Sequence, residues 1–351
     1  MHMADALLSP VVGGSMLAAS VVVAAYSIKK TQNDLDEKKI PLMGVIGAFV
    51  FAAQMINFAI PGTGSSGHIG GGMLLAILLG PYAGFLTMAS ILMIQALFFG
   101  DGGLLAYGSN VFNLGFFTCF IAYPLIYKWF TRKGISPKRI LWGTLISAVI
   151  GLQLGAFSLV LETFLSGKTE LPFVTFVLLM QPIHLVIGIV EGLITAGVVA
   201  FVWRERPEIL EKTSAGLPLG KVSMKKVLTG LSIAVVVIGG GLSWFASADP
   251  DGLEWSVEKT GGTTELEASS SIHKVLADIQ RKITFLPDYG FKTSESDDKV
   301  KVTAKIEQVW PAVNTGTSVS GIVGGALTLV LAGLTGIIIS LSKKKKEKAT
   351  L

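Results

Sequence analysis

Long apolar runs are the feature that most constrains the fold of this chain. Nine of them follow one another, at residues 10–28, 42–60, 71–82, 83–99, 106–128, 140–164, 173–202, 227–246 and 319–341. Most reach the roughly 18 residues that a membrane-spanning helix needs. Charged residues make up 15% of the chain, against about 25% in a soluble domain. We therefore expect an all-α integral membrane protein that crosses the lipid of the cytoplasmic (inner) membrane several times.

The third run is short for a span, and Pro81 separates it from the fourth. One alternative is a turned hairpin buried among the other helices, since irregular backbone is tolerated at membrane depth only where protein covers it. The other is a full span. With nine passes, the two ends of the chain lie on opposite sides of the membrane.

Lysine and arginine are distributed unevenly between the loops on the two sides. One side carries 20 of the 29, in residues 29–39, 128–139, 204–226 and 343–348. The short loops of the other side contain Lys168 alone. Because basic residues favour the cytoplasmic side, we expect the N-terminus outside and the C-terminus inside. The net charge of +5 thus indicates topology, and no nucleic-acid partner is predicted.

A change in composition divides the chain into two membrane units. Residues 1–203 contain the first seven runs, and residues 204–226 are polar and indicate a cytoplasmic linker. Residues 227–351 are predicted to form a two-helix unit. Its helices flank an extracytoplasmic loop, residues 247–318, which we call the outer segment.

The first residues, Met1-His2-Met3, form a pattern typical of a metal chelate. Initiator methionine is normally removed only ahead of a small residue, so His2 predicts that Met1 keeps a free α-amine. This amine, the deprotonated His2 amide and the His2 Nδ1 can close two chelate rings around one ion. A fourth nitrogen completes the square plane that Ni(II) and Cu(II) prefer. The alternative is that His2 is only a polar residue near a frayed terminus.

A glycine-rich loop on the same side offers the fourth nitrogen. Its sequence, Pro61-Gly62-Thr63-Gly64-Ser65-Ser66-Gly67-His68, contains G-x-G-x-x-G. A dinucleotide site would need a preceding strand and an acid about 20 residues on, whereas membrane runs flank this loop and the next acid is Asp101. Glycine lets a backbone bend sharply, so we expect the loop to carry His68 inward to the N-terminus. A purely structural role for His68 is the alternative.

Polar residues near this loop are candidates to orient the imidazoles, because a metal-bound histidine usually donates its other N–H to an acceptor. The candidates are Asp5, Ser65, Ser66, Asn110 and Asn113. Helix capping would explain Asn110 equally well.

The seventh run contains His184 and Glu191 near mid-membrane. Ionisable groups at such depth face the bundle interior and are functional candidates. They form either a structural hydrogen-bonded pair or a device that couples metal binding to a partner. The remaining histidine, His273 in the outer segment, is expected to be a surface residue.

Two motifs are absent from the sequence. Without G-x-x-x-x-G-K-[ST] the chain has no P-loop for ATP, and without H-E-x-x-H it lacks the pattern of a zinc protease. We therefore expect a protein that is not an enzyme and binds no nucleotide, and any transport would draw its energy from another subunit. An intramembrane enzyme built on His184 and Glu191 is a further alternative.

Four stretches together resemble the CbiM/NikM family, the substrate-binding (S) components of energy-coupling factor (ECF) importers for cobalt and nickel. They are Met1 to Pro10, the loop with His68, Asn110-Val111-Phe112-Asn113, and the segment from His184 to Gly192. The resemblance covers residues 1 to about 203. Beyond it, Pro250-Asp251-Gly252-Leu253-Glu254 between two helices is similar to the small NikN-type PDGLE subunit, here fused to the first unit.

The resemblance implies a seven-helix S-component bundle in which the amine of Met1, His2 and His68 hold one Ni(II) or Co(II) as transported substrate. It also implies partners, namely a transmembrane coupling subunit and cytoplasmic ATPase subunits. Met-Ala-Asp-Ala-Leu follows His2 where family members commonly have Ile-Pro-Asp-Gly-Phe or Ile-Met-Glu-Gly-Phe, which leaves the choice of metal open. The rival function is a membrane metal sensor or scaffold that does not itself transport.

Overall fold

The structure, a computed structural model, describes residues 2–34, 37–263, 266, 270–292 and 311–349. Met1, whose amine is a predicted metal ligand, lies outside the described residues. Within them the chain forms helices α1 Pro10–Asp34, α2 Lys39–Gln54, α3 Gly72–Leu79, α4 Pro81–Phe99, α5 Tyr107–Thr131, α6 Pro137–Leu165, α7 Phe173–Glu205, α8 Pro207–Ser214, α9 Lys225–Gly240, α10 Gly252–Gly261, α11 Ser271–Ile283 and α12 Thr315–Ala349. Two short strands, β1 Phe58–Ile60 and β2 Ser65–Gly67, pair antiparallel.

Six of these helices, α1, α4, α5, α6, α7 and α12, are long and apolar enough to cross a membrane. A mostly helical, multi-pass membrane protein is thus confirmed, with the β1–β2 hairpin as a small addition to the all-α prediction. Helices α2 and α9 have 16 residues each. Helix α3 has eight, all of them buried, and covers about 12 Å of a hydrocarbon core about 30 Å thick. The third apolar run is therefore not a full span.

Pro81 explains why the third and fourth runs are two helices. Gly80 between them has a φ of +84°, a conformation that glycine adopts easily and other residues rarely do. Pro81 then occupies the first turn of α4, where its missing N–H costs nothing. The chain thus reverses direction inside the protein, as the hairpin alternative expects.

The helices give the bundle two ends. One, which we call the N-terminal face, contains residues 2–9, the β1–β2 hairpin, the α4–α5 connection and the described residues of the outer segment. The opposite end contains α8, which docks on the bundle because Ile209 and Leu210 are buried and Thr213 Oγ1 donates to the Leu78 carbonyl at 3.3 Å. The polar linker thus contains a packed helix.

The helices of the second unit pack directly on the first. Helix α12 crosses α2 closely, because a Cβ added at Gly44 would lie 2.9 Å from the Leu329 carbonyl oxygen. It crosses α9 at Gly239 and Gly321, where an added Cβ on Gly239 would lie 3.0 Å from the Gly321 backbone. Small residues at such crossings let membrane helices approach and gain van der Waals contact. The second unit therefore covers α2, and described residues of its outer segment, such as those of α10 and α11, lie over the N-terminal face.

Candidate metal centre

The hairpin β1–β2 brings His68 into the bundle. Ser65 on β2 pairs with Ile60 on β1, and the turn between them contains Gly62 and Gly64 with φ of +79° and +73°. These angles suit glycine, which has no Cβ to clash. The backbone and side chains from Ser65 to Leu79 are buried, so the chain goes directly from this turn into the protein interior.

Glu191 fixes the segment that follows His68. The Gly70 N–H donates to Glu191 Oε2 at 2.6 Å, and the Gly70 carbonyl accepts from Gln54 Nε2 at 2.8 Å. Gln95 Nε2 in turn donates to Gln54 Oε1 at 2.9 Å. A buried backbone amide needs such a partner, because leaving it unpaired costs about 1–3 kcal/mol. Glu191 thus holds the loop, seven residues along α7 from His184.

His2 and His68 face each other. Their ring centroids lie 5.1 Å apart and the planes differ by 9°, so the imidazoles are stacked. His68 Nδ1 lies 3.1 Å from the carbonyl oxygen of the next residue, Ile69. If Nδ1 carries the proton and donates to this oxygen, the lone pair of the ring is on Nε2. Burial lowers the pKa of His68 to about 3, so this imidazole is neutral near pH 7. A neutral imidazole is the form that binds a metal.

Asp101 is a functional candidate that the sequence analysis missed. His2 Nδ1 lies 3.0 Å from Asp101 Oδ1, and the Tyr289 hydroxyl donates to Asp101 Oδ2 at 2.5 Å. Partial burial opposes ionisation of Asp101, but the charge of His2 and these two hydrogen bonds lower its pKa well below the usual range. The predicted chelate uses this same Nδ1, so a metal bound there would have to displace the carboxylate. Sequence offered only a weak signal, an acid in a short loop on the side of His2.

Two of the five predicted orienting residues hold the N-terminal arm, residues 2–8. Asn110 Oδ1 accepts from the Met3 N–H at 2.8 Å, and its Nδ2 donates to the Met3 carbonyl at 3.2 Å. Asp5 Oδ1 accepts from the Ala106 N–H at 2.9 Å. Asn110 lies inside α5 rather than at its cap. Both residues thus position backbone, which in turn positions His2.

The other three predicted orienting residues have different neighbours. Ser65 Oγ lies 2.7 Å from Thr63 Oγ1 within the turn. Ser66 binds the outer segment, because its N–H donates to the Pro250 carbonyl and its Oγ to the Asp249 carbonyl, each at 2.8 Å. Asn113 lies beside Glu162 of α6.

The Pro250–Glu254 turn of the second unit packs against the site. Asp251 caps α10, accepting from the Leu253 and Glu254 N–H groups at 2.8 and 2.9 Å, and Glu254 completes a capping box. A Cβ added at Gly252 would lie 3.7 Å from His184 Cε1. His184 therefore adjoins this turn. Its Nδ1 lies 2.8 Å from the Met180 carbonyl, and its Nε2 is buried with no hydrogen-bond partner in the described residues.

The expectation that His273 is a surface residue is wrong. Its side chain is 3% exposed and lies against the N-terminal arm. The apolar stripe of α11 faces outward instead, with Ile272, Val275 and Ile279 each at least 42% exposed. An amphipathic pattern shows that a helix has two faces but does not say which one is buried, and the position of His273 in a polar outer segment indicated the wrong face.

Among the described residues, no group of three or more histidine, cysteine, aspartate or glutamate side chains is arranged to hold a metal. The predicted site combines the side chains of His2 and His68 with the amine of Met1 and the amide of His2, so it depends on backbone nitrogen. The structure brings the two imidazoles together, with Asp101 against His2. The Pro250–Glu254 turn packs on the loop of His68 at Ser66 and adjoins His184 at Gly252.

The six long apolar helices define a multi-pass membrane protein. Residues 2–209 match the model of the CbiM family, described as a cobalt uptake substrate-specific transmembrane region, and residues 225–341 match the PDGLE domain. The chain belongs to the CbiM family, with a PDGLE domain following.

The chain is similar to proteins named as fused nickel transport proteins. A protein of Archaeoglobus fulgidus, provisionally named fused nickel transport protein NikMN, is 36% identical over 239 residues, which cover 67% of this chain and 75% of that protein. The fused nickel transport protein NikMN of Rhodobacter capsulatus is 31% identical over 262 residues, which cover 70% of this chain and 74% of that protein. A crystal structure of a truncated transition metal transporter matches with TM-score 0.52 and 33% identity, covering 58% of this chain and 99% of that one.

Proposed function

We propose that this chain is the substrate-binding subunit of an ATP-driven, ECF-type importer that takes up Ni(II) or Co(II) across the cytoplasmic membrane. The match to a cobalt uptake region and the similarity to fused nickel transport proteins support nickel or cobalt as the substrate. The observation that carries the proposal is the stacked pair His2 and His68 at the N-terminal face.

In this proposal the ion is held by nitrogen alone. The amine of Met1 and the amide and imidazole of His2 provide three donors, and His68 provides the fourth. A site of this kind suits Ni(II) in a square plane and can also hold Co(II), and the usual affinity order slightly favours nickel. Asp101 supplies negative charge beside the ion, and Asp5, Ser65, Ser66 and Asn110 support the segments that carry the ligands.

The proposed architecture has two units. Residues 1–203 form a seven-helix metal-binding bundle, residues 204–226 a cytoplasmic linker, and residues 227–351 a PDGLE-type unit with two membrane helices. The loops rich in lysine and arginine share the end of the bundle that contains α8, where Lys38 Nζ donates to the Val222 carbonyl at 3.0 Å. By the positive-inside rule this end faces the cytoplasm, so the metal site faces outside.

Energy for transport would come from other chains. The sequence has no P-loop, so we propose separate cytoplasmic ATPase subunits and a transmembrane coupling subunit as partners. His184 and Glu191 are candidates to couple the site to these partners, because one adjoins the Pro250–Glu254 turn and the other holds the loop of His68.

Uptake of radioactive nickel by cells that express the complete transporter tests this function. His2→Ala and His68→Ala should each abolish uptake, whereas Lys259→Ala, a change at an exposed position of α10, should leave it unchanged. Wild-type uptake by both histidine variants would refute the proposed site. Purification of the tagged chain separates an importer from a sensor or scaffold, because only the importer should bring ATPase and coupling subunits with it.

A further inference from the structure

Helix α11 of the outer segment carries a histidine that the proposed metal site does not use as a ligand. His273 Nε2 lies 3.0 Å from the Asp5 carbonyl oxygen and 2.9 Å from the Leu8 carbonyl oxygen. Carbonyl oxygens only accept hydrogen bonds, so Nε2 must carry the proton and donate to both. One side chain of the second unit thus binds two backbone positions of the N-terminal arm.

Ser270 fixes the orientation of this ring. Its Oγ lies 2.6 Å from His273 Nδ1, and with the proton on Nε2 the hydroxyl donates to the Nδ1 lone pair. Ser270 is also the N-cap of α11, and its Oγ accepts from the His273 N–H at 3.4 Å. The tautomer and direction of the imidazole are therefore set within α11, and the ring is preorganised for the arm.

The two carbonyls lie where the arm turns into α1. Residues Asp5–Leu7 form a 3₁₀ turn, and the Asp5 carbonyl also accepts from the Leu8 N–H at 3.1 Å. Contacts of the first unit hold the arm at Met3 and at the Asp5 side chain, on the His2 side of the turn. His273 holds the other end of the turn. Its contact therefore helps to set the direction in which the arm, and with it His2, leaves α1.

Helix α11 is itself anchored on the segment that carries Asp101. Gln280 Nε2 donates to the Ala96 carbonyl at 2.9 Å and to the Gly102 carbonyl at 2.7 Å. The backbone N–H groups of Phe285 and Leu286 both donate to the Phe98 carbonyl at 3.2 Å. The same helix thus joins the N-terminal arm to the loop that positions Asp101, and a displacement of α11 would move both.

We propose that His273 is a positioning residue of the metal site. Its hydrogen bonds hold the N-terminal arm against the outer segment, and they must break before the ion can be exchanged. His273 does not coordinate the ion. This inference rests on the proposed function, and it assigns the second unit a defined task, control of the rate at which the arm opens.

Nickel release from the purified full-length protein tests the proposal. After loading with Ni(II), an excess of chelator captures the ion as it leaves, and the dissociation rate constant is measured. His273→Leu should release nickel about fivefold faster, the change that one lost hydrogen bond of about 1 kcal/mol would give. His273→Gln should restore most of the wild-type rate, because its side-chain amide can donate from a similar position. Lys274→Ala, at the next and exposed position, is the matched control.

A second measurement needs no metal. Amide hydrogen exchange in the metal-free protein should become faster at Leu7 and Leu8 in His273→Leu, because their N–H groups close the turn that His273 holds. The absorption spectrum of the nickel-loaded variant should stay unchanged, since the ligands are the same. Ser270→Ala, which removes the bond that orients the ring together with the N-cap bond to the His273 N–H, should give the same changes more weakly. It replaces His273→Leu if that variant does not fold.

Three results would overturn the proposal. They are unchanged nickel release and exchange in His273→Leu, equally fast release in His273→Gln and His273→Leu, or a changed nickel spectrum, which would make His273 a ligand. Failure of the wild-type protein to bind Ni(II) or Co(II) would instead contradict the proposed function. The exchange measurement would still report whether His273 holds the arm.

Discussion

The two units of this chain contribute different things to the N-terminal face. The first unit supplies the stacked imidazoles of His2 and His68 and the carboxylate of Asp101. The second unit supplies groups that hold these segments in place, such as the Pro250 carbonyl on Ser66 and the Tyr289 hydroxyl on Asp101. The proposed ligands thus come from the first unit alone, whereas their supports come from both units.

This difference has a consequence for mutations. Loss of a ligand removes a bond to the ion itself, whereas loss of a support changes only how well the ligand is placed. Changes in the first unit should therefore be severe and changes in the second graded. The following experiments test this division of roles.

His68→Ala should have the largest effect, because it removes one of the proposed nitrogen donors. Changes beside a metal ligand usually cost 10–100-fold in affinity, so loss of a ligand should weaken Ni(II) binding by more than about 100-fold. Isothermal titration of the purified protein measures this affinity. A matched change at another buried histidine, His184→Ala, should cost less affinity. Equal losses of Ni(II) affinity in the two variants would indicate that His184 is also a ligand, and the distinction between ligands and supports would fail.

Asp101→Asn should rank second. It keeps the shape of the side chain but removes the negative charge beside His2, and we expect Ni(II) binding about tenfold weaker. Asp249→Asn, an exposed carboxylate of the outer segment, is the control. Tighter binding in Asp101→Asn would show that the carboxylate competes with the metal for His2 Nδ1 rather than assisting it.

The spans and the ligand candidates could be predicted from sequence because both depend on local patterns. Apolar runs of sufficient length define helices wherever they occur, and glycine in the loop before His68 indicated a bent segment. Asp101 and His273 were missed or misread because their partners lie far away in the chain, Asp101 next to His2 and His273 next to Leu8. The periodicity of a sequence indicates helices and their faces, but it does not indicate which loop packs against which helix. The position of α11 over the arm follows only from the packing of α9 and α12 on the bundle.

Gly252→Val tests the contact between the Pro250–Glu254 turn and the first unit. A Cβ at Gly252 would clash with Ile183 Cγ2, so the turn must withdraw from α7, at a cost of about 1–3 kcal/mol in the free energy of unfolding. Thermal unfolding in detergent measures the loss. Gly261→Ala at the other end of α10 is the control, because its Cβ would meet Leu171 at 3.4 Å and the Glu170 carbonyl oxygen at 3.6 Å, both ordinary van der Waals distances. Equal stability of Gly252→Val and wild type would mean that the turn is not held against α7.

Tyr289→Phe should have the smallest effect and sharpens the comparison most. It removes one hydroxyl, the donor to Asp101, while the ring can keep its stacking on Phe99 at 4.9 Å. A net loss of about 1 kcal/mol predicts Ni(II) binding weaker by about fivefold in the same titration. Tyr26→Phe, at a half-exposed position of α1, controls for loss of a hydroxyl as such. If Tyr289→Phe lowered the Ni(II) affinity as much as His68→Ala, the second unit would belong to the metal site itself, and the distinction between ligands and supports would fail.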